Sequence, residues 1–217
     1  QRARARGGAQ PGLGDGGGSG GPGDRQGGGQ RFRSGDAEDG HGEDGCDLEL
    51  AQGDVRAVAL FGGGHVGRAI VRPLAPLPLR LHWFDSRDEI FPEPAALGMT
   101  AWPPGLVMEH SDPVQRAVAD LEPGTLVLVM SWSHAEDLDI VAACLTRCRS
   151  ANDLPYIGLI GSATKWATFR HRLEARGFQA HELARITCPI GVPGIAVKEP
   201  EVIAAAVAAQ VLQRRPR

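Results

Sequence analysis

A glycine-rich turn is the clearest local signal for chemistry in this sequence. Its members are Gly62, Gly64, His65, Val66 and Gly67, which with Gly63 form a G-x-G-x-x-G pattern. In such a turn the first glycine makes the tight bend and the second lets a pyrophosphate approach the backbone. The third glycine lets the following helix lie close to its strand, and the free N–H groups at the start of that helix favour an anion. The motif therefore predicts a phosphate site.

An acidic residue supports this interpretation. Asp85 lies 18 residues after Gly67, at the end of the next predicted strand. A carboxylate at that position of a dinucleotide-binding fold accepts hydrogen bonds from a ribose hydroxyl. Strand, glycines, helix, strand and Asp85 together predict a dinucleotide-type fold, with a nucleotide or another phosphate-bearing ligand bound in its crevice.

A polar loop, Ser131 to His134, follows the apolar run TLVLVM, and Asp137 lies just beyond it. The carboxyl ends of parallel strands form the edge where open α/β sheets bind ligands. His134 is therefore a candidate general base or hydrogen-bond donor to a ligand. The alternative is structural: Ser133 caps the next helix, and His134 pairs with Asp137 inside the first turn.

A second possible anion site follows the strand that contains Gly158. Gly161 and Ser162 would free backbone N–H groups at the start of a helix, and Lys165 lies one turn further on. A lysine near a helix N-terminus is electrostatically unfavourable by itself. Lys165 therefore indicates an anionic partner.

Cys188 lies in a short loop, residues 187–195, which contains two glycines and two prolines. That composition predicts a rigid loop. Cys188 is a candidate for an exposed thiol that binds sulfur or molybdenum, although a buried cysteine in a tight turn fits the same residues. Cys144 and Cys148 are four residues apart on a predicted helix and are most simply small apolar core residues.

Alternating apolar runs and helical patterns must position these groups. Strands are predicted at 56–61, 79–84, 106–109, 125–130 and 156–160, and helices near 65–75, 112–121, 135–148, 163–176 and 199–213. Regular β–α alternation favours a three-layer, Rossmann-like α/β fold, a parallel sheet with helices on both faces. Residue type also predicts where helices begin and end. Helices are expected to begin at Asp112 before Pro113, at Ser162 or Ala163, and at Pro200, and one is expected to end at Gly177.

Residues 1–54 differ in composition from the rest of the chain. They hold 18 of the 30 glycines, and their large apolar side chains are Leu13, Phe32, Leu48 and Leu50. Such a segment cannot bury enough apolar surface to offset its backbone entropy. We therefore predict a disordered Gly-rich tail at 1–54 and one domain at 55–217. The tail's blocks of Gly, Arg and Asp are also typical of a GC-rich gene read in another frame.

Charge and hydropathy exclude some classes of partner. Six arginines and ten acidic residues give the tail a charge of -4, so the domain carries about +1 of the total of -3. This balance argues against a nucleic-acid surface. No run of 18 apolar residues and no signal-peptide pattern is present, so we expect a cytoplasmic protein that makes no membrane contact.

Five segments in this order resemble one family. They are LFGGGHVG, WFDSRDEIFP, SHAEDLD, PYIGLIGSATK and ITCPIGVPGI with KEPEVIAAAVAAQ. Together they resemble the C-terminal Rossmann domain of the xanthine dehydrogenase accessory proteins, the XdhC/CoxI family. The resemblance covers residues 55–217, and its last two motifs are more specific than the first, which fits many dehydrogenases. Residues 1–54 do not resemble the domain that usually precedes this unit in the family.

The resemblance implies a maturation factor rather than an enzyme with turnover. Such a protein binds the molybdenum cofactor (molybdopterin), supports its sulfuration with a cysteine desulfurase and hands it to an apo-molybdoenzyme of the xanthine dehydrogenase type. In that role the glycine turn would cradle a phosphate, Lys165 would neutralise a second anionic group and Cys188 would be a soft ligand. Asp85 would meet a ribose if the ligand is a dinucleotide.

Other functions stay open from the residues alone. An NAD(P)-dependent oxidoreductase would use the same crevice with His134 as its acid or base. An interaction module that binds no ligand fits the same fold, and so does a homodimer.

Overall fold

A six-stranded parallel sheet organises the described part of the chain. The computed structural model describes residues 55–195 and 198–214, so the predicted tail lies outside the described residues. The strands are β1 (Arg56–Phe61), β2 (Leu79–Asp85), β3 (Leu106–His110), β4 (Leu126–Val129), β5 (Tyr156–Leu159) and β6 (Ile186–Thr187). They pair in the order β3-β2-β1-β4-β5-β6, all parallel. The order reverses between β1 and β4, which makes this the doubly wound arrangement of dinucleotide-binding folds.

Helices cover both faces of the sheet. On one face lie α1 (His65–Leu74) and α5 (Pro200–Gln213), which pack against each other. On the other lie α2 (His134–Ser150) and α3 (Ala163–Ala175), and the single-turn helix α4 (Ala180–Leu183) precedes β6. No helix in residues 55–195 and 198–214 is long and apolar enough to span a membrane.

The described residues form two apolar cores, one on each face of the sheet, because side chains alternate between the two faces along each strand. Leu60 and Trp83 pack in the core on the α1 and α5 side, whereas Phe61 and Phe84 pack on the α2 side. Successive strand residues point to opposite faces, and here both faces are buried. Burial on both faces explains why β4 and most of β1 are continuous apolar runs.

Most predicted elements are confirmed within one or two residues at each end. Ser162 is the N-cap of α3, Pro200 is the first residue of α5, and Gly177 follows α3 with a φ of +86°. Sequence reasoning missed β6, since two residues are too few to show a period.

The prediction for residues 112–121 is wrong in detail. This segment forms a 3₁₀ helix over Val114–Asp120 rather than an α-helix. Pro113 has extended backbone and is the residue before the first turn, and no side chain caps it. Asp112 is therefore not an N-cap and Pro113 is not the first helical residue.

Candidate functional site

The predicted site residues lie along one edge of the sheet, where the strands end. Gly62 follows β1, Asp85 ends β2, His134 follows β4, Gly161 follows β5 and Cys188 follows β6. The register brings the ends of β1, β2, β4 and β5 to within one residue of one another. At a spacing of about 4.8 Å between strands, the edge from β2 to β6 spans roughly 19 Å. Its centre is the β1–β4 boundary, where open α/β sheets bind ligands.

The three glycines of the motif have different environments. A Cβ added at Gly62 would lie 2.1 Å from the carbonyl oxygen of Met130, and one at Gly67 would lie 1.9 Å from the carbonyl oxygen of Gly62. These two glycines are required by packing of the backbone. A Cβ at Gly64 meets nothing within 4 Å. The open position is therefore the second glycine, where a phosphate is expected to approach.

The N-terminus of α1 offers N–H groups at that position. Gly64 is its N-cap and supplies no side-chain hydrogen bond, and no acidic residue lies in the first turn. The first N–H groups of a helix have no acceptor within it. By contrast, α2 and α3 are capped by Ser133 and Ser162, whose hydroxyls accept backbone N–H groups at 3.1 and 3.2 Å. The start of α1 is therefore suited to an anion, and exposed His65 and half-buried Val66 form its first turn.

Asp85 lies where it was predicted, but its carboxylate is already engaged. Its Oδ1 accepts hydrogen bonds from the backbone N–H and Nε of Arg87, both at 2.9 Å. Its Oδ2 accepts hydrogen bonds from the N–H of Gly63 at 2.6 Å and from Nη2 of Arg87 at 2.9 Å. Burial disfavours the ionised carboxylate, but hydrogen bonds from Arg87 and Gly63 outweigh burial and lower the pKa of Asp85.

The first turn of α2, just beyond the loop after β4, holds a buried acid. Asp137 is 1% exposed, and its Oδ1 accepts hydrogen bonds from the backbone N–H and the hydroxyl of Ser131, both at 2.8 Å. The predicted capping of α2 by Ser133 is confirmed. The alternative pairing of His134 with Asp137 is wrong, because Asp137 Oδ2 faces Lys165 and His134 is exposed.

Lys165 has an anionic partner inside the protein. Its Nζ donates to Asp137 Oδ2 at 2.6 Å and to the carbonyl oxygen of Ile160 at 2.8 Å. The side chains of Lys165 and Asp137 are 12% and 2% exposed. This ion pair joins the first turn of α2 to the first turn of α3 and explains a lysine near a helix N-terminus.

A small pocket brings three predicted residues together. It has a volume of about 310 Å³ and lies between the starts of α2 and α3. It is lined by His134, Ser162, Thr164, Lys165, Thr168, Phe169 and Arg172. The His134 ring meets the Phe169 ring edge-on, with centroids 6.2 Å apart. Sequence reasoning missed Arg172, which reaches the pocket through the helical spacing of Thr164, Thr168 and Arg172.

Cys188 is a half-buried free thiol beside this cluster. A Cβ added at Gly161 would lie 3.4 Å from Cys188 Sγ, so the loops after β5 and β6 are in contact. Burial raises the pKa of Cys188 to about 11, and Asp137 adds to the shift while Lys165 opposes it. The thiol is therefore protonated at neutral pH.

The loop after Cys188 is held by a side chain that the sequence analysis missed. Gln210, on α5, accepts the N–H of Gly191 at 2.8 Å and donates to the Gly191 carbonyl at 2.9 Å. Tyr156 donates its hydroxyl to the same Gln210 oxygen. A buried glutamine in an Ala/Val-rich helix was the signal that could have found this role, since buried amides need partners.

Cys144 and Cys148 are buried in the α2 core, as predicted for small apolar residues. Across residues 55–195 and 198–214, no group of three or more His, Cys, Asp or Glu side chains is arranged to hold a metal ion.

The strand order and the glycine turn define a Rossmann-type domain with open space at Gly64, beside the start of α1. The family model of the XdhC Rossmann domain matches residues 58–211, and the chain belongs to this family. No match is found among curated proteins.

Two solved structures illustrate what this chain is similar to. The crystal structure of a xanthine dehydrogenase from Bacillus halodurans has 20% sequence identity and a TM-score of 0.50, and the match covers 73% of this chain. This chain covers 42% of the length of that structure. A lactate dehydrogenase from Cryptosporidium parvum, in complex with lactic acid and a nicotinamide dinucleotide, is less similar. It has 13% identity and a TM-score of 0.37, with 59% of this chain and 44% of that chain covered.

Proposed function

We propose that this chain is an accessory protein for a molybdoenzyme of the xanthine dehydrogenase type. In this role it carries the molybdenum cofactor as cargo, supports its sulfuration with a cysteine desulfurase and delivers it to the apo-enzyme. Membership of the XdhC Rossmann-domain family supports the accessory role. The observation that carries the binding role is the open position at Gly64 beside the start of α1.

The phosphate of the cargo fits the glycine turn. The N–H groups at the start of α1 are available, and no side chain fills the space at Gly64. A helix N-terminus stabilises a phosphate through these N–H groups and through the helix dipole. Gly62 and Gly67 act indirectly, because they let β4 and α1 pack closely enough to shape the turn.

The other end of the cargo would extend along the carboxyl edge toward β5 and β6. Lys165 is tied to Asp137, so this ion pair would orient the loops after β4 and β5 rather than donate a free charge. His134 and Arg172 line the pocket between α2 and α3 and would face the cargo. Cys188 would contact its soft sulfur-bearing end as a neutral thiol, given the raised pKa.

The alternative function, an oxidoreductase, requires a catalytic acid or base that the protein holds in a fixed orientation. His134 is exposed at the first turn of α2, and the nearby carboxylate of Asp137 is bound to Lys165 and Ser131 instead. A histidine base in a catalytic pair is normally oriented by a second group. The accessory role is therefore favoured.

Analysis of ligands that copurify with the full chain tests the proposal. The protein is purified without oxygen, and released molecules are identified by mass spectrometry and metal analysis. We expect a pterin together with molybdenum. A nicotinamide nucleotide would instead support the oxidoreductase, and absence of any ligand even after incubation with the cofactor would support an interaction module.

The variant Gly64→Val tests whether the phosphate of the cargo binds at the glycine turn. The added side chain would occupy the phosphate position, so we expect cofactor retention to fall at least tenfold and activation of an apo-molybdoenzyme to fall with it. Ala209→Val, on the exposed side of α5, is the control for adding a β-branched side chain. Equal retention in folded Gly64→Val and wild type would show that the phosphate binds elsewhere.

The variant Cys188→Ser tests whether the thiol of Cys188 contributes to cofactor binding. A serine hydroxyl is less polarisable than a thiol and contacts a soft, sulfur-bearing group less favourably, so we expect weaker cofactor retention and lower activation of the client enzyme. Normal activation by this variant would remove Cys188 from the site and leave the accessory role in place.

A further inference from the structure

The two sides of the glycine turn differ in accessibility. On the α1 side, a Cβ at Gly64 would meet nothing within 4 Å. On the β2 side, a Cβ at Gly63 would lie 2.9 Å from Cγ1 of Ile90 and 3.2 Å from Oδ2 of Asp85. In a dinucleotide-binding fold the adenosine half of the ligand occupies this β2 side, next to the acidic residue.

Arg87 occupies the position at which a ribose would bind to Asp85. A carboxylate offers about four lone-pair sites. Those of Asp85 receive four hydrogen bonds, three from Arg87 and one from the N–H of Gly63. A ribose diol could reach Asp85 only by displacing the guanidinium of Arg87, whose planar fork matches a carboxylate in two places.

The segment after Arg87 is tied down over the turn. Arg68, on α1, donates Nε to the carbonyl of Gly63 at 3.1 Å and Nη2 to the carbonyl of Ile90 at 2.7 Å. Phe91 packs edge-on against Trp83, with ring centroids 5.1 Å apart. These contacts hold the Ile90 side chain against Gly63.

A further link crosses the crevice from β2 to α2. The hydroxyl of Ser86 donates to Oε1 of Glu136 at 2.5 Å, and Nε1 of Trp132 donates to the same oxygen at 3.0 Å. Ser86 immediately follows β2, whereas Trp132 lies in the loop after β4 and Glu136 in the first turn of α2. The β2 side is therefore bounded on a second edge, while Gly64 stays open.

We propose that Arg87 and Ile90 determine specificity by closing the β2 side of the crevice to a nucleoside, so that the glycine turn takes a phosphate monoester rather than a dinucleotide. This inference rests on the proposed function, because it names the ligand class of the same phosphate site. For a pterin cargo it selects the form that ends in a monophosphate over the form that carries a nucleotide.

Opening the β2 side tests the proposal by gain of binding. The full-length wild type, Arg87→Ala, Ile90→Ala and the double variant are titrated with NAD⁺, NADP⁺ and glycerol 3-phosphate. Calorimetry measures affinity, and the amide resonance of Gly64 reports the site. Arg72→Ala, which removes an exposed arginine elsewhere on α1, is the matched control. The two single variants keep the test available if the double variant fails to fold.

We expect glycerol 3-phosphate to shift the Gly64 resonance in every folded protein, with affinities within threefold of one another. We expect wild type and Arg72→Ala to bind NAD⁺ at least tenfold more weakly than a variant with an opened β2 side. Gain of NAD⁺ binding cannot result from damage to the fold, so it would support closure by Arg87 and Ile90.

Two other outcomes would overturn the inference in distinguishable ways. NAD⁺ binding by wild type as tight as by the opened variants would mean that the β2 side already admits a nucleoside. NADP⁺ binding that is lost in Arg87→Ala would make Arg87 a ligand for the 2′-phosphate. Both results would leave the phosphate site at Gly64 standing, whereas a Gly64 resonance that no probe shifts would overturn the proposed site together with the inference.

Discussion

Alanine at Gly67 should destabilise the protein, whereas alanine at Gly64 should leave its stability nearly unchanged. The ideal Cβ at Gly67 lies 1.9 Å from the carbonyl oxygen of Gly62, whereas ordinary contact begins at 3.4 Å, a difference of 1.5 Å. That oxygen cannot simply move away, because Gly62 itself fits closely against Met130 and has a φ of +131°. Helix α1 must therefore shift from β1, and both pack in the core.

The loss of stability expected for Gly67→Ala is the balance of two opposing effects. Overpacking of this kind costs up to about 3 kcal/mol, and the helix propensity of alanine over glycine returns about 1 kcal/mol. The net loss for Gly67→Ala is about 2 kcal/mol, which lowers Tm by roughly 4–8 °C for a chain of this size. Gly64 has a φ of -73° and open space around it. Gly64→Ala should therefore change stability by less than about 1 kcal/mol.

Urea unfolding and thermal melting, both followed by circular dichroism, measure these two effects. An unchanged m-value would confirm that the unfolded state is the same in all three proteins. A Tm for Gly67→Ala within 2 °C of wild type, or an equal loss for Gly64→Ala, would refute the division of the turn into a packing part and an open part.

Three further predictions use other features of the chain. Deletion of residues 1–50 should change Tm by less than about 2 °C in a melting experiment, because their composition offers little apolar surface to bury; a larger drop would mean that they pack. The hydrogen bond from Arg149 lowers the pKa of Glu182 from 4.5 to about 2, so this ionised pair stabilises the fold above pH 4.5 and stops doing so as the pH falls through 2. The Tm difference between wild type and Arg149→Met should therefore shrink from pH 5 to pH 2, and a constant difference would count against the ion pair. Burial raises the pKa of Cys188 from 9.0 to about 11, so iodoacetamide should label it at pH 7.5 about 10²-fold more slowly in the native than in the urea-unfolded protein; peptide mass spectrometry measures both rates, and equal rates would show an accessible thiolate.

Local sequence patterns determined the strands, most helices and the glycine turn. The burial of both faces makes β1 and β4 continuous apolar runs, and a strand that meets a helix at close range needs glycine at Gly62 and Gly67. These requirements restrict the residue type at successive or closely spaced positions, so they leave a pattern that can be read from the sequence. The position of Asp85 at the end of β2 is of the same kind, since it depends on the length of one strand.

Only the tertiary structure decided what several of these residues contact. Asp137 and Lys165 are 28 residues apart and meet because β4 and β5 are neighbours and their helices start at the same edge. Gln210 holds Gly191 because α5 returns across the sheet to the loop after β6. Strand order and helix rotation bring such groups together, and neither leaves a period in the sequence.

For Asp85, the sequence predicted the position of the carboxylate, but only the tertiary structure showed its hydrogen-bond partners. Its type and spacing predicted a carboxylate beside the glycine turn, and the structure places it there. The backbone turn after β2 then aims the guanidinium of Arg87 back at that carboxylate, while Arg68 holds the carbonyl of Ile90. A side chain two residues along an irregular segment can point in many directions, and packing of the whole segment against α1 selects one of them.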